Sequence, residues 1–116
     1  MTQRLSRIAQ LNDLVRLGRD RQARIVITAH CLAVLAGDGR LVSEALAQAE
    51  VLSAAARYQF APGEAGERDR GEFVIRGHAV RFRIDYYDRS LEWGSQDPAD
   101  PSVTTRVLTF MLPQDD

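Results

Sequence analysis

The chain contains no lysine: all 15 of its basic residues are arginine. A P-loop needs a lysine ammonium on its phosphates, a Schiff-base enzyme needs one as its amine, and an acid-acid-lysine nuclease needs one beside its metal. All three chemistries are therefore excluded. Cysteine is nearly as scarce. One residue, Cys31, cannot form an internal disulfide, and this usage points to a cytoplasmic protein rather than a secreted one. The same cysteine reads as a small buried hydrophobe before it reads as a nucleophile. His30 and His78 are the only histidines, and neither has a partner at zinc or iron spacing. His78 reads as the tip of a hairpin and His30 as a residue following a buried strand. No serine lies in Gly-x-Ser-x-Gly, and Gly63, Gly66 and Gly71 sit in an acid-bearing loop with no strand before them. Neither a nucleophile elbow nor a phosphate cradle is encoded. The longest apolar run, residues 25–36, is broken by Thr28 and His30 and falls short of the ~20 residues that span a bilayer. The N-terminus follows its arginines with Asn12 and Asp13 rather than with the apolar core of a signal peptide. The residues thus assign no catalytic group, no cofactor and no metal.

What is there is an ordinary globular composition, 45% hydrophobic and 27% charged, in 116 residues. A chain of that size buries one core without disulfide or metal staples, so a single domain spanning 1–116 is expected. Net charge is −1, but it is unevenly distributed. Arg4, Arg7, Arg16, Arg19, Arg21 and Arg24 crowd the start, and Asp85, Asp88, Glu92, Asp97, Asp100, Asp115 and Asp116 load the end.

Thr2 caps an expected helix in which Leu5, Ile8, Leu11, Leu14 and Val15 recur at helical spacing up to Gly18. Residues 24–28, with Ile25, Val26 and Ile27 in sequence, read as a buried strand, followed by a turn or short helical piece to Gly37. Asp38 is placed to cap a second long helix with an apolar stripe of Val42, Ala45, Leu46, Ala49, Leu52 and Ala56. Residues 59–71 are a loop. Gly77-His78 as a type II′ turn pairs Ile75 with Val80, Phe73 with Phe82 and Glu72 with Arg83, setting Phe82, Ile84 and Tyr86 inward and Asp85 and Tyr87 outward. The last segment fits helix or strand; Asp100-Pro101 and one helical face of Val103, Val107, Phe110 and Met111 favour helix. The expected fold class is α+β, helices packed on a short antiparallel sheet containing a central hairpin.

The densest chemistry lies in residues 84–101. Asp85, Asp88, Glu92, Asp97 and Asp100 can bind a cation or serve as acid and base, and Tyr87 or Trp93 beside them can anchor a partner. These seven are the candidate binding residues. The structural alternative makes Asp97-Pro98 and Asp100-Pro101 successive capped turns, pairs Asp85 with Arg83 or Arg106, and lets Trp93 close one edge of the core.

Through Ile84-Asp85-Tyr86-Tyr87-Asp88, Gly94-Ser95, Asp97-Pro98-Ala99-Asp100-Pro101 and Thr105-Arg106-Val107-Leu108-Thr109 with Met111-Leu112, the chain resembles domain of unknown function family 3768. A weaker likeness runs through Ile8-Ala9-Gln10-Leu11-Asn12-Asp13. Where the family usually reads Gly-Glu-His-Asp-Phe-Gly, this chain has Gly66-Glu67-Arg68-Asp69-Arg70-Gly71, without the histidine. The resemblance supplies no activity. It implies an alphaproteobacterial protein carried on plasmids and other mobile elements.

The leading expectation is a non-enzymatic interaction protein binding a host or mobile-element protein through its acidic, aromatic surface, with an anti-CRISPR or anti-restriction inhibitor as the sharpest form. A metal-dependent hydrolase or nuclease using Glu67, Asp69, Asp85 and Asp88 is the second reading. Nucleic-acid binding by the arginine-rich first helix is the third and least favoured.

Overall fold

Thr2 does open the first helix, its hydroxyl accepting from the Leu5 amide at 3.0 Å. A computed structural model describes residues 2–64 and 66–116, so Ala65 of the expected loop lies outside the described residues. The elements are α1 (Gln3–Arg16), β1 (Arg24–Ile27), α2 (Ala29–Ala36), α3 (Leu41–Arg57), β2 (Arg70–Ile75), β3 (His78–Tyr87) and β4 (Thr105–Met111). The strands form one sheet in the order β1-β4-β3-β2. β1 runs parallel to β4, and the other two pairs are antiparallel. The fold is α+β with a mixed sheet rather than a purely antiparallel one.

Strand alternation divides the sheet into two faces. Val80, Phe82, Ile84, Leu108 and Phe110 share one face and meet Val15 of α1, Cys31 and Leu35 of α2, and Ala47, Val51 and Ala55 of α3 in a single core. All three helices therefore cover that face. The opposite face carries Glu72, Arg81, Arg83, Asp85, Tyr87, Val107, Thr109, Arg24 and Val26 and stays open. Among the described residues no helix is long and apolar enough to cross a membrane.

Five expectations are corrected. The C-terminal segment is strand β4, not helix. The Asp100-Pro101 start signal is used, but only for one 3₁₀ turn, Pro101–Val103, which Asp100 caps. Beyond it Arg106, Leu108 and Phe110 alternate onto the core face while β1 and β3 supply ladder partners on both sides. Strand β1 is not buried: it is an edge strand, with Ile25 and Val26 exposed.

The hairpin closes on Arg76-Gly77, both with positive φ (52° and 81°), as a type I′ turn requires. This moves the register by two residues, pairing Ile75 with His78, Phe73 with Val80 and Glu72 with Arg81. A shift of two keeps every side chain on its expected face. It also sets Gly71 opposite Phe82, where an added Cβ would lie 2.6 Å from both the Phe82 ring and Tyr58. Glycine is required there by contact rather than by φ.

Helix α3 starts at Leu41 with Arg40 as its cap residue; Asp38 instead accepts from the Arg40 amide and Ser43 hydroxyl just upstream. Its buried row is Ala47, Val51 and Ala55, and the expected stripe faces outward, with Val42 69% and Leu46 56% exposed. The sheet face opposite already carries Phe73, Phe82 and Phe110 in ring contact. Close packing against those rings leaves room for alanine, not leucine, and volume decides between two apolar faces that periodicity ranks alike.

Candidate functional site

The acidic, aromatic segment follows β3, and its carboxylates are taken up one by one. Asp85 projects from the open face and accepts from Arg83 Nε at 3.0 Å. The guanidinium of Arg83 also reaches Asp116 (2.6 Å), and Asp116 in turn pairs with Arg81, which pairs with Glu72. This ladder raises the pKa of Arg83, chiefly through its bond to Asp85, and lowers that of Asp116, chiefly through its bond to Arg81. Asp88 Oδ1 accepts from the Ser90 hydroxyl (2.8 Å) and from the amides of Glu92 (3.1 Å) and Trp93 (3.4 Å). These donors, Ser90 first, hold its carboxyl below the usual range.

Asp97 Oδ1 accepts from the Ala99 amide and from Arg4, each at 3.1 Å. Asp100 Oδ1 accepts from the hydroxyl (2.7 Å) and amide (2.9 Å) of Ser102, which lowers its pKa as well. Backbone bonds from Asp88 to Trp93 and from Ser95 to Tyr86 tie the loop back onto the end of β3. The segment is thus a series of capped turns. Glu92 is left in solvent.

Trp93 does not close the core. It is 73% exposed, beside a small groove of Asp88, Gly94, Gln96 and Val103. Tyr87 is half-buried on the open face and lines a separate shallow depression with Leu91, Val107 and Val26. The seven candidates therefore do not converge on one cleft. Asp85 and Tyr87 share the open face, and Asp88, Glu92, Trp93, Asp97 and Asp100 lie along the loop.

The hydrolase reading needs Glu67 and Asp69 to meet Asp85 and Asp88. Glu67 instead accepts from the Tyr86 hydroxyl at 3.3 Å, on the face opposite Asp85, and Asp69 pairs with Arg70. No group of three or more His, Cys, Asp or Glu placed to hold a metal ion occurs among the described residues. Cys31 is fully buried in the core, and burial pushes its thiol pKa up.

A second constellation joins residues far apart in sequence. Arg106, 2% exposed, has no carboxylate partner among the described residues; its Nε donates to Asn12 Oδ1 at 2.8 Å and its Nη2 to the Pro98 carbonyl. Its guanidinium lies over the Tyr86 ring, 5.0 Å from the centroid. Fully buried Asn12 donates through Nδ2 to the Tyr86 oxygen (2.8 Å) and to the Glu67 carbonyl (3.0 Å), so all of its strong sites are used. Burial is the main cause both of the lowered Arg106 pKa and of the raised Tyr86 pKa, which reaches about 12. The phenol is therefore a proton donor at neutral pH, not a base. Beside this cluster Asp13 receives a two-pronged bond from Arg68 (3.0 and 2.7 Å) and one from Arg16 (2.9 Å). Arg16 also donates to the carbonyls of Ala55, Ala56 and Tyr58 and so closes the end of α3.

Asn12, Tyr86, Pro98 and Arg106 lie in the segments through which the sequence resembles the family, and they meet in space together with Glu67. Arg68 forks onto Asp13. A scan for dense carboxylates passes over this cluster because each residue is alone in its segment. The match to a family of described proteins covers residues 40–115, and the family's description is protein of unknown function (DUF3768). The chain belongs to this family. The stretch matched in DUF3768 runs from the start of α3 past β4, so Asn12 and Asp13 lie before it. No curated protein and no solved structure matches the chain.

Proposed function

We propose that this member of DUF3768 is a non-enzymatic interaction protein that docks a partner protein through the loop of residues 88–103, with Trp93 as its anchor. The observation that carries the reading is Trp93, 73% exposed on a loop held in one shape by the Asp88, Asp97 and Asp100 caps. A large aromatic on a preorganised loop binds without paying for loop ordering, and tryptophan is the residue type most enriched at binding hot spots. Asp88, which accepts from the Trp93 amide, and Glu92, the residue before it, favour a basic partner surface. Proteins that handle nucleic acid present such surfaces. The sharpest form of the proposal is an anti-CRISPR or anti-restriction inhibitor acting in the cytoplasm of an alphaproteobacterial host that carries mobile elements.

The test is a pull-down from such a host with wild-type protein and Trp93→Ala in parallel, followed by titration of the recovered protein. A partner bound by wild type and weakened at least about tenfold by Trp93→Ala is expected. Equal capture by both proteins, or no specific capture together with unchanged defence activity, would sink the proposal.

A further inference from the structure

Two sets of arginines differ in how they are partnered. Arg4, Arg16, Arg68, Arg70, Arg76, Arg81 and Arg83 each form an ion pair. Arg21, Arg24 and Arg89 form neither an ion pair nor a side-chain hydrogen bond among the described residues, and all three line one depression. Arg21 and Arg24 come from the turn into β1 and from its first residue, Arg89 from the loop after β3, and Ala23, Leu91 and Thr105 lie between them. Among the described residues no carboxylate lines this depression. Asp20 and Asp88, each next in sequence to one of these arginines, turn their Oδ1 atoms to the Gln22 amide at 3.0 Å and to the Ser90 hydroxyl at 2.8 Å. Like charges held around one concavity repel, and an anion placed among them relieves that repulsion. Guanidinium groups suit a phosphate in particular because their fork matches its oxygens.

The depression adjoins an apolar one: Ala23, Arg24 and Leu91 line both, and Ile25, Val26, Tyr87 and Val107 complete the second. A basic pocket thus adjoins an open sheet face carrying an aromatic ring, again with no carboxylate in the lining. We propose that this surface binds a nucleotide unit, its phosphate among Arg21, Arg24 and Arg89 and its base against Tyr87 and Leu91. The pairing of a cationic track with an aromatic platform is the chemistry that holds single-stranded nucleic acid, and a free nucleotide offers the same two groups. The site differs from the first helix suggested by sequence. There Arg4 and Arg16 are spent on Asp97 and Asp13.

The experiment is fluorescence anisotropy of a fluorescein-labelled oligothymidylate with full-length protein over a range of salt, with unlabelled mononucleotides as competitors. Binding that weakens as salt rises is expected. The triple variant Arg21→Ser, Arg24→Ser, Arg89→Ser should lose at least about tenfold in affinity and flatten the log–log salt slope by about one. Tyr87→Leu should lose roughly tenfold while keeping the slope. The arginine variants remove exposed groups and Tyr87→Leu a half-buried one, and far-ultraviolet circular dichroism checks the fold of both. Arg40→Ser with Arg57→Ser, two other arginines without ion pairs, should change nothing, and neither should Trp93→Ala, so the outcome is separable from the partner-docking proposal. Competition by mononucleotides would identify a free nucleotide as the ligand; competition only by oligonucleotides would identify single-stranded nucleic acid. No binding of either at millimolar concentration overturns the proposal, and so does an equal loss in the Arg40/Arg57 control, which would mark general charge attraction only.

Discussion

The loop of residues 88–100 and the cluster around Arg106 meet at Pro98, whose carbonyl takes the Arg106 guanidinium, yet they use polar residues in opposite ways. In the loop, Asp88, Asp97 and Asp100 satisfy amides and hydroxyls two to five residues away and stay in contact with water. In the cluster, Asn12, Glu67, Tyr86 and Arg106 bridge α1, the segment before β2, β3 and β4, and three of the contacts span more than fifty residues. Local capping shapes a surface and leaves Trp93 outside it. Long-range bonding under the helices fixes how the elements pack. Density of chemistry in sequence marks the first kind of region, and burial marks the second.

Arg106→Ala separates the two most sharply. It leaves Asn12 Oδ1 and the Pro98 carbonyl without a donor in a dry site, and a loss of about 3 kcal/mol in urea unfolding is expected. Asn12→Ala should cost about 2 kcal/mol, and the double variant less than the sum, because both remove the same bond. Strict additivity would show that the two residues do not act together. Tyr86 supplies a spectroscopic check. Its pKa is raised, so its contribution to stability is complete below the ordinary tyrosine value of about 10 and is lost as pH rises towards about 12. Absorbance at 295 nm should show one phenol ionising near the upper value or together with alkaline unfolding.

On the loop side the sign reverses. Asp88 and Asp100 have lowered pKa values, so what they contribute is present above the ordinary aspartate range and disappears as pH falls below about 4. Melting temperatures between pH 5 and 2.5 should fall for wild type and fall less steeply for Asp88→Asn, which keeps an acceptor without the proton linkage. Smallest of all is Trp93→Ala. An exposed side chain outside the core should change stability by no more than ~0.5 kcal/mol while weakening partner binding.

Much of the fold could be read in the sequence where one local signal dominated. Thr2 and the spacing of Leu5, Ile8 and Leu11 mark α1, and the alternation of Phe82, Ile84 and Tyr86 marks the inner face of β3. Where two signals competed, tertiary context decided. Gly77 could serve first or second in its turn, and the ladder chose second. Helix α3 is apolar nearly all round, and the phenylalanines opposite selected its alanines. The final strand carried a true helix-start signal that lasts one turn before β1 and β3 claim the chain. The Arg106 cluster was not legible at all from spacing, since a buried polar network leaves no period. The seven loop and strand candidates were legible as chemistry, but the folded chain decides that Asp85, Asp88, Asp97 and Asp100 are spent on caps and ladder pairs.

The comparison stands or falls on thermal melting of Arg106→Ala beside Trp93→Ala. The account predicts a fall of roughly 10 °C for the first and less than about 2 °C for the second, both followed by circular dichroism at pH 7. A larger fall for Trp93→Ala than for Arg106→Ala would contradict it, placing the support of the fold in the loop and not in the buried cluster.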